Sequence, residues 1–145
     1  MFRRLDQEDI NLCVSSFIDV FNGPPWNDDW KQEQARLYLE DIFQTPGFIG
    51  VGFQHQETLE GVILGNVKRW YSGKEFFIQE MFVLNASQGK GIGKKLMAHL
   101  EDVLEEEDVQ DLALLTDKGI DAEFFYKANG FNEIERLIFM AKTTE

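Results

Sequence analysis

Three glycines at alternate positions, in Gln88-Gly89-Lys90-Gly91-Ile92-Gly93-Lys94, stand where a strand hands over to a helix, a construction suited to binding an anion. Upstream, Glu75 to Val83 (EFFIQEMFV) is rich in aromatic and branched side chains and reads as a strand; downstream, Ile92, Leu96, Met97, Leu100, Val103 and Leu104 recur at helical spacing. The glycines therefore fall at a helix N-terminus. Backbone N–H groups there have no intrahelical partner, the helix dipole puts partial positive charge at that end, and residues without a Cβ let a phosphate approach the main chain. Spacing excludes two commoner phosphate binders. A P-loop needs Ser or Thr after its Gly-Lys pair, but Gly89-Lys90 is followed by Gly91 and Gly93-Lys94 by Lys95. A dinucleotide fingerprint needs a further glycine where this chain has Lys94, counted from Gly91, or Leu96, counted from Gly93.

A second reactive group lies on the strand itself. Strict alternation puts Phe76, Ile78, Glu80 and Phe82 on one face, so Glu80 is a carboxylate among apolar neighbours, where desolvation raises its pKa toward a value useful to a general base. Gln79 is directed to the other face. The competing reading of Glu80 is a structural carboxylate satisfied by backbone N–H groups at a strand irregularity. His55 and His99 have no partners at metal-ligand spacing, so no metal is expected.

The elements that must position these groups follow from periodicity and punctuation. Phe2 to Leu5 reads as a strand, and Asp6-Gln7-Glu8-Asp9 supplies a cap and first-turn acids for an amphipathic helix through Ile10, Cys13, Val14, Phe17, Ile18 and Phe21. Asn22-Gly23-Pro24-Pro25 breaks it. Asn27 or Asp28 is predicted to cap a second helix ending near Phe43, before Thr45-Pro46-Gly47. Strands Phe48 to Gln54, Leu59 to Trp70 and Glu75 to Val83 follow. After the glycine loop and its helix, Asp111 to Thr116 reads as a strand buried on both faces beside Glu75–Val83. Asp121 is predicted to cap a short helix through Asn129, with Gly130 as its left-handed stop, and Leu137 to Ala141 to close the sheet.

At 145 residues the chain is expected to be a single domain, 1–145, able to bury about two thirds of the surface its unfolded form exposes. Its 26 acidic against 14 basic residues give a net charge of −12, which disfavours nucleic acid and anionic membranes as partners and favours cations. The acids crowding the end of the third helix, Glu101 to Asp108, read as a solvated face. Cys13, the single cysteine, reads as a buried small hydrophobe. No segment approaches the roughly 20 apolar residues of a membrane helix, and a cytoplasmic protein is expected.

Gln88-Gly89-Lys90-Gly91-Ile92-Gly93 fills the pattern Gln/Arg-x-x-Gly-x-Gly and, with its strand and amphipathic helix, resembles the acetyl-coenzyme A site of GNAT-superfamily N-acetyltransferases. Ala122-Glu123-Phe124-Phe125-Tyr126-Lys127-Ala128-Asn129-Gly130-Phe131 resembles the second signature of that superfamily, Ala-x-x-Φ-Tyr-x-x-x-Gly-Phe. The resemblance spans about Met1 to Lys142 and implies a mixed α/β fold, a largely antiparallel sheet with helices on both faces in the order β-α-α-β-β-β-α-β-α-β.

The implied activity is acetyl-CoA-dependent transfer to an amine by direct attack in a ternary complex, with acetyl-CoA as cosubstrate. By position, Glu80 matches the superfamily's base and Tyr126 the acid that reprotonates the leaving thiolate. A phenol stays protonated at neutral pH and can donate to a thiolate whose conjugate acid lies near 8.5. Gln88, Gly89, Lys90, Gly91, Ile92, Gly93 and Lys94 would surround the pyrophosphate, while Phe82 and Val83 offer main-chain groups to the pantetheine arm. Many relatives have an asparagine where this chain has Gly119; Thr116, Asp117 and Asp121 are the alternatives for that contact.

Acceptor pockets in the superfamily are shaped between the first two helices, where Trp26, Asp28 and Asp29 combine an aromatic face with acids suited to an ammonium group. Capping and packing is the competing role for these residues. A small cationic amine, polyamine-like or aminoglycoside-like, is the expected acceptor, with a homodimer as the candidate assembly. The rivals are a protein lysine or N-terminal acetyltransferase and a noncatalytic coenzyme A-binding module.

Overall fold

Asp6 ends strand β1 (Phe2–Leu5) and begins the first helical segment, accepting from Glu8 N–H at 2.9 Å while Asp9 accepts from Asp6 N–H at 2.9 Å. This capping box leads through a 3-10 turn into α1 (Ile10–Phe21). There follow α2 (Gln32–Phe43), β2 (Phe48–His55), β3 (Thr58–Trp70), β4 (Gly73–Val83), α3 (Ile92–Glu106), β5 (Asp111–Ala113) and α4 (Asp121–Ala128). The structure, a computed structural model, describes Met1–Glu145 and divides into two compact units, Met1–Leu114 and Leu115–Glu145.

In the first unit the sheet runs in the order β1-β2-β3-β4-β5, antiparallel except for the parallel pairing of β4 with β5. One apolar layer joins α1 and α2 (Cys13, Val14, Phe17, Ala35, Leu39) to Leu59, Val62, Leu64 and Phe82 of the sheet. Each fully buried side chain as large as Phe17 or Leu39 contributes about 1.5–3 kcal/mol. Helix α3 covers the opposite face: a Cβ at Gly61 would meet Ile92 Cγ2 at 3.1 Å and Leu96 Cδ2 at 3.3 Å. Cys13 is fully buried, and burial, with a smaller push from Asp9, raises its thiol pKa to about 12.

The most consequential departure from simple alternation lies in β4. Leu64 pairs with Glu80 but Gly65 with Ile78, so Gln79 is an extra residue, a β-bulge. It changes which face later residues take. Glu80 and Phe82 share the α1/α2 face, whereas Ile78 and Phe76 fall on the opposite one, so the four do not line a single face as predicted.

Helix α2 begins later than a cap at Asn27 or Asp28 requires. The preceding loop is bound locally: Trp30 N–H donates to Asn22 Oδ1 at 2.8 Å, Asn22 Nδ2 donates to Trp30 O at 3.1 Å, and Asp28 N–H donates to Phe21 O at 2.8 Å. Gln34 instead accepts from Lys31 N–H at 3.1 Å at the helix start.

Strand β5 lies beside β4 as predicted but is only Asp111–Ala113, half-buried rather than enclosed on both faces, and Leu115 is 65% exposed. In the second unit Gly130 takes the left-handed conformation (φ 93°) expected of a helix stop. Asp121 is the first residue of α4 rather than its cap; Glu123 accepts instead from Gly119 N–H at 2.6 Å and pairs with Lys127. The predicted closing strand Leu137 to Ala141 is not formed, and Ile138, Phe139 and Met140 are more than three quarters exposed. A strand exists only against a ladder partner, and this unit contains one helix and no strand.

Candidate active site

The glycine loop begins with a 3-10 turn, Asn85–Ser87, anchored by Glu60 of β3. Glu60 O accepts from Leu84 N–H at 2.9 Å, and its Oε1 accepts from the buried Ser87 hydroxyl at 2.8 Å. Gly89 (φ 80°) and Gly91 (φ 78°) are left-handed, a conformation open to glycine at little cost, and a Cβ built at either would meet nothing within 4 Å. The loop is open on that side. Gly91 is the N-cap of α3 without a side-chain capping bond, and after Gln88 the next amide with a well-formed backbone bond is that of Lys95, which donates to Gly91 O at 3.1 Å. A run of N–H groups therefore faces outward, with Lys90, Lys94 and Lys95 exposed around it. These residues fit a pyrophosphate.

The same end of β4 has a free edge. Its pairing with β5 stops at Phe77, leaving Ile78 to Val83 bonded only to β3. Since Leu84 N–H donates to Glu60 O, ladder alternation turns the main-chain groups of Phe82 into β3 and those of Val83 and Met81 outward. Val83 O accepts from Gln88 Nε2 at 3.2 Å, which ties the loop to this edge. Val83 and Met81, rather than Phe82, thus present main-chain donors and acceptors at the gap.

On the α1/α2 face, Glu80 accepts a hydrogen bond from the hydroxyl of Tyr38. Burial pushes the Glu80 carboxyl above its ordinary value, opposed by that bond, while burial and the Glu80 carboxylate raise the phenol. The expected carboxylate among apolar neighbours is present, at a strand irregularity, with a side-chain partner rather than the backbone donors of the structural reading. Rings surround it: Tyr38 lies 5.6 Å from Phe17 and 5.3 Å from Trp30, and Phe17 lies 5.9 Å from Phe82.

That aromatic wall continues into the loop between α1 and α2. Trp30 Nε1 donates to Asp28 Oδ2 at 3.1 Å, and the 42%-exposed Trp26 packs 5.0 Å from Phe21, itself 5.8 Å from Phe82. Asp29 pairs with Lys31 at 3.0 Å in solvent. Neither acid caps α2. Tyr126 belongs to the second unit, on α4, with its ring edge-on to Phe125 and Phe131, each at 5.5 Å.

Sequence reasoning misses Tyr38 and the Glu60–Ser87 anchor. Tyr38 stands beside Leu39 in an amphipathic helix and carries no local mark of its hydroxyl's partner; only the packing of α2 against β4 reveals it. A cavity of about 300 Å³ at the far end of α3, lined by Glu101, Glu105 and Asp108, lies at the opposite end of that helix from the glycine loop and is part of the acidic solvated face.

The acetyltransferase (GNAT) family model matches residues 15–131. No curated protein matches the chain in sequence. Among solved structures, an integron cassette protein from the mobile metagenome of V. cholerae superposes with a TM-score of 0.84 at 19% identity, covering 99% of this chain and 92% of its own. An aminoglycoside acetyltransferase from an uncultured soil metagenomic sample, in complex with sisomicin, gives 0.77 at 19% identity, covering 100% and 96%. AAC(6')-Iy, in complex with the bisubstrate analogue CoA-S-monomethyl-acetylneamine, gives 0.76 at 20% identity, covering 99% and 98%. At these identities the likeness is one of fold.

Proposed function

Because the chain belongs to the acetyltransferase (GNAT) family, we propose that it transfers the acetyl group of acetyl-coenzyme A to the amine of a small cationic acceptor, polyamine-like or aminoglycoside-like, by direct attack in a ternary complex. The observation that carries this reading is the open left-handed turn at the start of α3 beside the unpaired edge of β4. Acetyl-CoA supplies an activated acyl group as its thioester. The amides from Gly89 to Lys94, with Lys90 and Lys94, hold the pyrophosphate. Val83 and Met81 offer main-chain bonds to the pantetheine arm.

Glu80 takes the proton of the attacking amine, directly or through one water, as the new C–N bond forms and the C–S bond breaks. Tyr126 donates its phenolic proton to the departing thiolate. Desolvation is what makes the carboxylate basic enough for its part. Trp26, Asp28 and Asp29 receive the cationic acceptor; the continuity of their loop with the rings around Glu80 supports this, as do the small aminoglycoside ligands of two structural neighbours. A cytoplasmic setting is part of this reading, and no helix is long and apolar enough to cross a membrane.

Gly93→Asp tests the reading. Gly93 sits in the first turn of α3, where a carboxylate favours the helix dipole and repels a pyrophosphate. Calorimetry with CoA is expected to show binding lost while the melting temperature is kept or raised. CoA affinity equal to that of the wild type removes the glycine turn as the coenzyme site.

A further inference from the structure

Glu80 is held from one side only. Tyr38 donates to its Oε2, and no cationic side chain lies against the carboxylate: Arg36, half a turn away on α2, is paired with Glu33 and Glu40. The other elements around the carboxylate offer apolar groups, Phe17 from α1, Leu64 opposite it on β3, and Phe82 on β4, so Tyr38 is the titratable group that faces it. Tyr38 bonds Oε2 alone, and no buried side-chain oxygen or nitrogen lacks a partner, so Oε1 opens to solvent. The carboxylate thus has one pinned oxygen and one working oxygen.

We propose that Tyr38 is a positioning residue for the transfer reaction, fixing Glu80 through Oε2 so that Oε1 alone meets the acceptor amine or its relaying water. The inference rests on the assignment of Glu80 as base. Its physical content is twofold. The phenol is itself fixed, by α2 and by the flanking rings of Phe17 and Trp30, so the bond sets a direction for the carboxylate that the flexible glutamate side chain cannot keep alone. A donor to the ionised form also favours that form, holding Glu80 ready to accept a proton against the desolvation that opposes its charge. The aromatic wall joining Tyr38 to Trp30 and Asp28 further makes α2 the element through which acceptor loop and base are held in register.

Tyr38→Phe removes one oxygen and keeps the ring. The acid limb of kcat/KM against pH is expected to move to higher pH by about one unit, the size of a hydrogen bond to a charged group expressed as a pKa. At pH values below the limb kcat/KM should fall by up to about tenfold, recovering toward the wild type as pH rises through it, with the KM for acetyl-CoA unchanged. Carbon-13 NMR titration of Glu80 in the resting protein reads the same shift without turnover. A variant whose acid limb and Glu80 titration both stay in place, while Glu80→Gln abolishes the limb, overturns the positioning role and leaves the base intact. A Glu80→Gln enzyme with the wild-type profile overturns the base assignment, and the inference with it.

Discussion

Ionising a carboxylate among rings costs stability, and at Glu80 the direction of that cost can be worked out. Its folded pKa is raised, so between the unfolded value of about 4.3 and the folded one the native state binds more protons and stability falls as pH rises through that window. Glu80→Gln is therefore expected to raise the melting temperature at pH 7, with the gain disappearing near pH 4 and below, where the wild-type side chain is protonated in both states. Scanning calorimetry at the two pH values measures it; an equal melting temperature at pH 7 would mean that burial does not strain the charge. The same variant should lose about 10²–10⁴-fold in turnover, so that activity and stability move in opposite directions. At this scale the sequence is most legible where chemistry is local. The glycines announce their turn by spacing, and Glu80 stands out as a charge in an apolar strand. Tyr38 is hidden because its partner lies on a different element, and a tyrosine on an amphipathic helix looks like packing until the strand is laid against it. Asn27 and Asp28 look like caps because helix starts favour such residues, but Asn22 binds both sides of Trp30 and delays the helix.

Among the elements, the start of α1 is legible because its signal is short-range, and the pair that stabilises it adds a contact from another element that the sequence does not mark. Arg3 on β1 donates to both oxygens of Asp9, at 2.5 and 3.1 Å, and Asp9 also accepts from the backbone of Asp6. Burial pushes the Asp9 carboxyl up, but the bonds from Arg3 and Asp6 outweigh it and hold it below the usual range. Such a group stabilises the fold above its unfolded pKa of about 3.9 and loses that contribution as pH falls through the folded value. Arg3→Met should lower the unfolding free energy by about 1–3 kcal/mol at pH 7 and by less in acid, as urea denaturation would show; an equal loss at both pH values would assign the effect to packing and to the bond Arg3 Nε donates to Gln54 Oε1. The strands are less legible than the helices. Period-two patterning locates β1 to β4 but carries no mark of an extra residue at Gln79, since the residues on either side of it suit a strand equally well. At Asp111 to Thr116 and Leu137 to Ala141, apolar composition predicts strands whose existence depends on a ladder partner, which composition does not encode.

For the molecule as a whole, the charge of −12 sets a background that attracts cations, and the loop carrying Asp28 and Asp29 adds to it the part-exposed ring of Trp26. Asp28→Asn with Asp29→Asn is expected to raise the KM of a cationic acceptor about fivefold at low salt, from ~1 kcal/mol of screened attraction, with the difference shrinking at higher ionic strength. The coenzyme KM and melting temperature should be unaffected, because the amide oxygen introduced at position 28 can still accept from the Trp30 indole and neither acid caps a helix. Steady-state kinetics at two salt concentrations decide it, and an unchanged acceptor KM would return these acids to ordinary solvation. The bulge in β4 also has a bearing on inheritance. Its two halves serve different layers, Phe76 and Ile78 on one face, Glu80 and Phe82 on the other, and the single residue Gln79 is what changes the parity between them. Point substitutions in this strand leave every side chain at its address, and so would loss of Gln79 itself, which restores a regular ladder with Glu80 still opposite Leu64 and Ile78 still opposite Gly65. The strand thus holds one residue of slack beside its carboxylate, and Glu80 keeps its layer through its place opposite Leu64 rather than through its distance along the chain from Ile78.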